Sequence, residues 1–396
     1  MGSRACGGIC RPRVGAAMRI LAFAGVSAST VFSLASLLHA ARHKGHEVLL
    51  AAGPDAAPWA CKVGLPVTIV TPMTWQEAAY QQRDGSPWNP PEDSSGHREH
   101  VGFMFGRFAA ATLAGLADLV QAWRPDVTVG GPLAFSAALV AAELGVPYVR
   151  QAWDAGDPAR EEEVGGDQVL APELGRLGLN EVPDPDLRVE IAPPSLLSPD
   201  LPPGTPMRWA PTNVQCPLDP WMYRRASNRP RVLVTAGSMA SPEHRGEILR
   251  RMINAVVDMD AEVIVATRES MAEVLHDERR GVFAGWVPLD IVAPTCDVIV
   301  KPVGNVSLMT ALRAGVPQVT LAEQYVLIGT TRSVADRGAG IMLPPGEDTP
   351  NHVVDACRKV LANPSFQTRA GELAAEMASL PPPSSVVADI ERLART

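Results

Sequence analysis

The sequence predicts an α/β protein made of two doubly wound, Rossmann-like domains that face each other across a cleft. Three observations support this prediction. The chain has 396 residues, which is too long for one ordinary core. Continuous apolar runs, typical of buried parallel strands, alternate with helical patterns in both halves of the chain. The alternation restarts after a proline-rich stretch, residues 195–220, which is typical of a connection between domains.

The N-terminal half begins with an apolar run at residues 19–25, predicted to be a strand covered on both faces. A helix over residues 30–44 follows, and Gly45 ends it. Residues 75–98 show no period and are predicted to form a long irregular loop, a kind of segment that is often functional. Helical patterns lead up to Trp123 and cover 134–144, and further strands are expected at 47–52, 67–70, 126–130 and 147–151.

The C-terminal half repeats the pattern. Strands are expected at 231–235, 262–266, 282–286, 297–300, 318–321 and 340–343, with helices at 243–258, 307–314 and 330–337. A helical tail is broken by Pro381–Pro383 before a last segment at 385–395. We therefore expect an N-terminal domain at 18–213, a linker at 214–230, a C-terminal domain at 231–380, and a final helix at 381–396 that packs back on the first domain. Residues 1–17 are expected to be a disordered extension, or an over-called start with Met18 as the true first residue.

Composition excludes several classes of protein. The net charge of −8 argues against a general nucleic-acid binder. No apolar run reaches the roughly 18–20 residues of a membrane span, so no membrane association is expected. The six cysteines lack zinc-site spacing and are expected to be reduced thiols of a cytoplasmic protein. Neither a metal nor another cofactor is expected.

Residues 283–340 carry the most informative pattern. Five pieces stand in order: Trp286-Val287-Pro288-Leu289, Cys296-Asp297, Thr310-Ala311-Leu312, Ala314-Gly315-Val316-Pro317-Gln318 and Gly338-Ala339-Gly340. They resemble the donor-binding motif of actinobacterial family-one glycosyltransferases, which attach deoxysugars to macrolides, enediynes and aromatic polyketides and have the GT-B fold. Weaker matches at Gly45-His46-Glu47-Val48 and residues 122–126 extend the resemblance from Met18 to the end.

This resemblance implies a nucleoside-diphosphate sugar donor, with dTDP expected as the nucleotide. Trp286 after a strand can stack a base, and Val287 follows it. Gly304, Asn305, Val306 and Ser307 precede a helix whose first amides would face the diphosphate. Gly237 and Ser238, after the first strand of this half, complete the expected donor site. The same residues also fit plainer roles, such as packing for Trp286 and a helix cap for the loop.

Three clusters depart from the family pattern. Lys301-Pro302-Val303 stands where the family has His-His-Gly, so two histidines are missing. Lys301 is expected either to compensate near the diphosphate or to be a solvated strand-end residue. Val326-Leu327 stands where an Asp-Gln pair binds sugar hydroxyls. Thr30 occupies the position of the catalytic histidine, and a hydroxyl with so high a pKa cannot be a general base.

The acceptor side is expected to be apolar. Trp75, Phe103, Phe105 and Trp153 are candidates to line a cavity for a hydrophobic aglycone. Asp154 and Asp157 are alternative candidates for the acid or base.

Two main hypotheses follow. The first is a glycosyltransferase that moves a deoxysugar to a natural-product aglycone in antibiotic biosynthesis. The second is a non-catalytic or repurposed homologue that binds an aglycone or assists a partner enzyme; a partner protein or a homodimer is compatible with either. An isomerase or cyclase on the same scaffold is a third alternative.

Overall fold

The computed structural model of the chain describes residues 17–89, 91, 94–156, 160–225, 228–237, 246–268, 272, 282–322 and 328–395. These residues form two parallel sheets, one of seven strands and one of six. Helices cover both sheets, so the predicted fold class is confirmed. The domain limits given above stay a prediction, and residues 1–16 of the expected extension lie outside the described part of the chain.

The N-terminal sheet has the strand order β3-β2-β1-β4-β5-β6-β7. Its strands are β1 Arg19–Phe23, β2 Glu47–Ala52, β3 Val67–Ile69, β4 Val127–Gly130, β5 Tyr148–Gln151, β6 Leu187–Glu190 and β7 Thr205–Pro206. β1 is paired with β2 on one side and with β4 on the other, all in parallel. The chain changes direction across the sheet between β1 and β4, which is where a doubly wound sheet opens a crevice for ligands.

The helices of this half are α1 Ala28–His43, α2 Ala57–Lys62, α3 Trp75–Tyr80, α4 Ser94–Ala114, α5 Ala117–Ala122, α6 Phe135–Leu144 and α7 Arg160–Leu177. The first helix, α1, is buried along most of its length between the sheet and later elements, as Val31, Leu34 and Leu38 show. Its C-terminus is closed by Gly45, whose φ of 95° is in the left-handed region that favours glycine.

The C-terminal sheet has the order β10-β9-β8-β11-β12-β13. Its strands are β8 Arg231–Thr235, β9 Glu262–Ala266, β10 Val282–Gly285, β11 Val298–Pro302, β12 Gln318–Leu321 and β13 Gly340–Leu343. Its helices, with one short helix that precedes the sheet, are α8 Pro220–Tyr223, α9 Gly246–Val257, α10 Leu289–Val292, α11 Asn305–Ala314, α12 Ile328–Asp336, α13 Pro350–Ala362, α14 Pro364–Ser379 and α15 Pro383–Leu393. β8 lies between β9 and β11, so the second crevice opens at the ends of β8 and β11.

The last helix, α15, crosses to the N-terminal half and packs on α1. Its Val386, Val387 and Ile390 are buried in the same apolar cluster as α1. Glu391 accepts from His46 Nε2 at 2.9 Å and pairs with Lys44 at 2.9 Å. The C-terminus of the chain therefore ties the two halves together on the side away from the crevices.

The prediction of an irregular loop over residues 75–98 is wrong at both ends of the segment, where the structure has helices. Thr74 starts α3 with a reciprocal cap: its hydroxyl accepts from the Glu77 amide at 3.2 Å, and the Glu77 carboxylate accepts from the Thr74 amide at 2.8 Å. The following helix, α4, begins at Ser94. Helix α7 and strand β6 were not expected, because charged and glycine residues obscure the helical period of α7.

Helices α4 and α7 pack with almost no space between their backbones. A Cβ added to Gly102 would overlap the carbonyl oxygen of Glu162, and one added to Gly165 would overlap that of Glu99. Glycine on both helices permits this approach because a backbone without a Cβ can lie directly against its neighbour. Phe103 and Phe105, two of the aromatic residues described below, belong to α4.

We expect Gly102→Ala to lower the free energy of unfolding by about 2–4 kcal/mol, because its methyl group meets a backbone atom that cannot rotate away. Urea unfolding checks this. Gly175→Ala on the exposed side of α7 is the matched control, since nothing lies within 4 Å of its added Cβ. That variant should gain about 0.5–1 kcal/mol from helix propensity, and equal losses in both variants would contradict the packing argument.

Candidate functional site

The carboxyl ends of the strands of both sheets meet at the cleft. From the C-terminal sheet come Gly237 after β8, Thr267 and Arg268 after β9, and Trp286 after β10. The loop after β11 starts helix α11 at Gly304. From the N-terminal half, Ser29 and Phe32 of α1 reach the same space. The site therefore takes residues from both halves.

A pocket of about 250 Å³ lies between these ends. It brings together seven of the residues expected at the donor site: Gly237, Trp286, Val287, Gly304, Asn305, Val306 and Ser307. Ser238, the sugar-pocket pair Val326 and Leu327, and Asp157 lie outside the described residues. The pocket also contains residues that the sequence did not indicate, among them Arg268, Asn213 and Phe32.

Trp286 is held rigidly at the pocket. Its indole Nε1 donates to the carbonyl oxygen of Val214, in the connection between the halves, at 3.0 Å. One face of the ring stacks on Trp59 of α2, with ring centroids 5.3 Å apart and planes inclined by 26°. Phe32 meets Trp59 edge-on at 5.9 Å. An aromatic contact thus joins the two halves at the place where a base was expected.

The loop before α11 presents backbone amides but few free side chains. The amides of the first helical turn have no intrahelical partner and point toward the pocket end of the helix. The Ser307 hydroxyl donates to the Gly304 carbonyl oxygen at 3.2 Å. The side-chain amide of Asn305 donates to the Asp154 carboxylate at 2.6 Å. Val303 is buried, so it does not offer the open backbone that a glycine would.

Lys301 does not reach the pocket. The side chain is fully buried, its Nζ lies 3.4 Å from the Pro302 carbonyl oxygen, and it is absent from the residues that line the cavity. The carboxylate of Asp154 interacts with it electrostatically. Neither expectation for Lys301 fits its position: the ammonium does not line the pocket, and full burial is incompatible with a solvated strand-end residue.

Asp154 links the two halves through a buried carboxylate. One oxygen accepts from Thr330 of α12 at 2.9 Å and from the Gly156 amide at 2.8 Å. The other accepts from Asn305 at 2.6 Å. Burial raises the pKa of Asp154, and these donors together with Lys301 oppose that rise. With both oxygens occupied, the carboxylate is built to hold the loop and cannot meet an acceptor hydroxyl without opening of the cleft.

The hydroxyl of Thr30 is also engaged in a hydrogen bond. It donates to the Ser27 carbonyl oxygen at 2.7 Å, and the residue is buried. A Cβ at Gly25 would lie 2.9 Å from Phe105 and 3.0 Å from the Thr30 methyl group, so the space around the family's histidine position is filled. The described residues supply no base at this position.

The acceptor-side aromatic residues are only partly brought together. Trp75, Phe105 and Trp153 share one apolar cluster, in which the Phe105 and Trp153 rings lie 5.7 Å apart. Trp153 lies against Gly131, and its buried Nε1 has no hydrogen-bond partner among the residues that the structure describes. Phe103 stands apart and packs on Trp88 at 5.6 Å.

A neutral histidine lies next to this cluster. Trp88 Nε1, which can only donate, contacts His100 Nδ1 at 2.7 Å, so that nitrogen carries no proton. Burial lowers the pKa of His100 to about 4, with the positive charge of Arg107 as the next cause. Burial also lowers the pKa of Arg107 to about 10. The hydrogen bond between Trp88 and His100 therefore requires a neutral imidazole.

Sequence reasoning missed Trp59 and Arg268. Trp59 lies in a short helix without an apolar period, so the sequence did not indicate that its side chain would face the cleft. Arg268 follows a strand of the doubly wound sheet at its carboxyl end, and that position is itself a signal for ligand contact. Among the described residues no cluster of three metal-ligating side chains occurs, and no helix in that part of the chain is long and apolar enough to cross a membrane.

We expect acid to destabilise the protein through His100. The unfolded chain takes up a proton on this imidazole below a pH of about 6.5, whereas the folded state does so only near 4, so stability falls as pH falls through that window. Between pH 7 and pH 5 the loss amounts to about 2 kcal/mol. His100→Gln should show a correspondingly smaller loss in urea unfolding at the two pH values.

His43→Gln, on the exposed end of α1, is the control and should follow the wild-type pH dependence. If His100→Gln were as sensitive to acid as the wild type, the assignment of a neutral His100 would be wrong.

Two family models match the chain. The Erythromycin biosynthesis protein CIII-like N-terminal domain matches residues 39–237, and the C-terminal domain of the same description matches residues 250–393. Elloramycin glycosyltransferase ElmGT of Streptomyces olivaceus is 32% identical over 94% of this chain and 96% of its own length. The L-demethylnoviosyl transferase of Streptomyces niveus is 28% identical over 93% of this chain and 96% of its own length.

Solved structures agree over the whole length. The Streptomyces sp. SF2575 glycosyltransferase SsfS6, complexed with thymidine diphosphate, matches with a TM-score of 0.84 and 31% identity over 95% of this chain and 99% of its own. Spinosyn rhamnosyltransferase SpnG complexed with spinosyn aglycone matches with a TM-score of 0.83 and 26% identity over 94% of this chain and all of its own. The chain therefore belongs to the Erythromycin biosynthesis protein CIII-like family of natural-product glycosyltransferases and has the GT-B fold.

Proposed function

We propose that this protein transfers a deoxysugar from a dTDP donor to a hydrophobic natural-product aglycone. The observation that carries the proposal is the single pocket that gathers Gly237, Trp286, Val287 and the residues from Gly304 to Ser307 between the two halves. A rigid aromatic ring and the amides at the start of α11 are the groups that a base and a diphosphate need. SsfS6 and SpnG, both similar to this chain over almost all of it, have been solved with thymidine diphosphate.

The acceptor is proposed to enter against the apolar cluster of Trp75, Phe105 and Trp153. SpnG has been solved with a spinosyn aglycone, which supports a hydrophobic small-molecule acceptor. Thr30 cannot act as the base at the position where the family has a histidine. We therefore propose an acceptor that ionises readily or is a strong nucleophile, such as a phenol or an amine.

A second candidate function is a homologue that binds an aglycone without transferring sugar, with or without a partner protein. The occupied hydroxyl of Thr30 and the buried Val303 favour it, because both replace groups on which the family's chemistry depends. The two functions differ in one property that can be measured at once, which is affinity for the nucleotide.

We expect the wild-type protein to bind dTDP more tightly than UDP, and Trp286→Ala to weaken dTDP binding by about 10- to 100-fold through loss of stacking. Titration calorimetry measures both. Trp123→Ala is the matched control, because this half-buried tryptophan lies far from the pocket and donates to Glu47.

Trp123→Ala should bind dTDP as the wild type does. If the wild-type protein bound neither nucleotide, the transferase proposal would be abandoned and the aglycone-binding alternative would stand.

We expect Asp154→Asn to retain transfer within about tenfold and to keep the shape of the pH profile, because the carboxylate positions the loop and moves no proton. A general base at this position would instead contribute about 10²–10⁴-fold. The measurement is the rate of dTDP release from a dTDP-deoxysugar with an acceptor found by screening phenolic and macrolide aglycones. Loss of activity beyond 100-fold together with loss of one limb of the pH profile would make Asp154 the base.

A further inference from the structure

The donor pocket has to meet the charge of a diphosphate without the groups that the sequence led us to expect. Lys301 is buried behind the loop. Asn305 donates one of its two side-chain N–H groups to Asp154, and Ser307 donates its hydroxyl to the Gly304 carbonyl oxygen. The amides at the start of α11 remain, and the dipole of a helix end is equivalent to about half a positive charge. Two phosphates at neutral pH carry more charge than that, so a cation is needed.

Arg268 is the cation that lines the pocket among its described residues. It is the second residue after β9, at the carboxyl end of the strand. Its guanidinium lies over the ring of Trp59, with Cζ 5.5 Å from the ring centroid. Trp59 in turn stacks on Trp286, so the guanidinium is fixed relative to the ring on which we place the base.

The guanidinium of Arg268 is left with unused donors. Its Nε is buried and has no hydrogen-bond partner, and its charged group forms no ion pair within the described part of the chain. Burial lowers the pKa of Arg268, and the carboxylate of Asp55 opposes that only from a distance. A half-buried guanidinium whose Nε–H is buried and unpaired costs free energy that an anion in the pocket would recover.

We propose that Arg268 is the diphosphate ligand of this protein and replaces the family's histidine and glycine loop in that role. The inference rests on the proposed donor function and deepens it. Trp59 and Trp286 set the distance between the base and the guanidinium, so the nucleotide is held by stacking at one end and by a charge-assisted hydrogen bond at the other. The N-terminal half, through Trp59, thereby helps to position the phosphate ligand.

The test compares ligands with and without phosphates. Arg268→Met should weaken dTDP binding by about 10- to 100-fold and leave thymidine binding unchanged within about twofold. Arg268→Lys should recover part of the loss, because an ammonium keeps the charge but not the fork of donors. Calorimetry measures dTDP binding, ligand-observed NMR measures thymidine binding, and the circular dichroism of each variant checks its fold.

Lys62→Met is the matched control. The Lys62 ammonium also lies over Trp59, 4.7 Å from the ring centroid, but this exposed residue does not line the pocket. It should leave binding of both ligands unchanged. If Arg268→Met weakened thymidine and dTDP equally, Arg268 would act by supporting Trp59, and the inference would be overturned.

The failure of this inference is distinguishable from that of the donor function. Wild-type binding of dTDP that survives in Arg268→Met removes Arg268 as the ligand and leaves the transferase proposal standing. Absence of wild-type binding to both dTDP and thymidine removes both.

Discussion

The arrangement of the cleft depends on one buried carboxylate. Asp154 comes from the end of a strand in the first sheet, yet its partners Asn305 and Thr330 belong to the second half. Moving an ionised carboxylate out of water costs several kcal/mol unless its oxygens are satisfied. Three donors and the charge of Lys301 offset part of that cost here, while burial still raises the pKa of Asp154. Through Asn305, the same carboxylate ties the start of α11 to the first half.

Much of the fold could be predicted because parallel strands buried on both faces leave a continuous apolar signal. Every strand expected from the sequence is present, from the first at Arg19–Phe23 to the last at Gly340–Leu343. The errors fall where local polar chemistry decides the structure. The capping pair of Thr74 and Glu77 starts a helix inside a segment without a period, and the α4–α7 contact depends on glycines whose role is visible only when two helices meet.

The site was predictable in part for the same reason. Residues that follow strands, such as Trp286 and Gly304, are placed at the cleft by topology alone. Lys301 could not be assigned, because the sequence does not show whether a side chain at a strand end faces the cleft or the interior; here it is fully buried. Trp59 could not be found either, since its contact with Trp286 joins residues that are distant in sequence and come from different halves.

The stack of Trp59 on Trp286 also bears on how a nucleotide enters. An aromatic pair contributes about 0.5–1.5 kcal/mol beyond its buried area, whereas a base stacked on an aromatic side chain contributes about 1–3 kcal/mol. A base that stacks on Trp286 while Trp59 stays in place adds to the tryptophan pair and does not replace it. Because Arg268 rests on Trp59, any shift of that ring on nucleotide entry also moves the guanidinium. Recognition of the base and of the phosphates is thus mechanically coupled through one side chain of the N-terminal half.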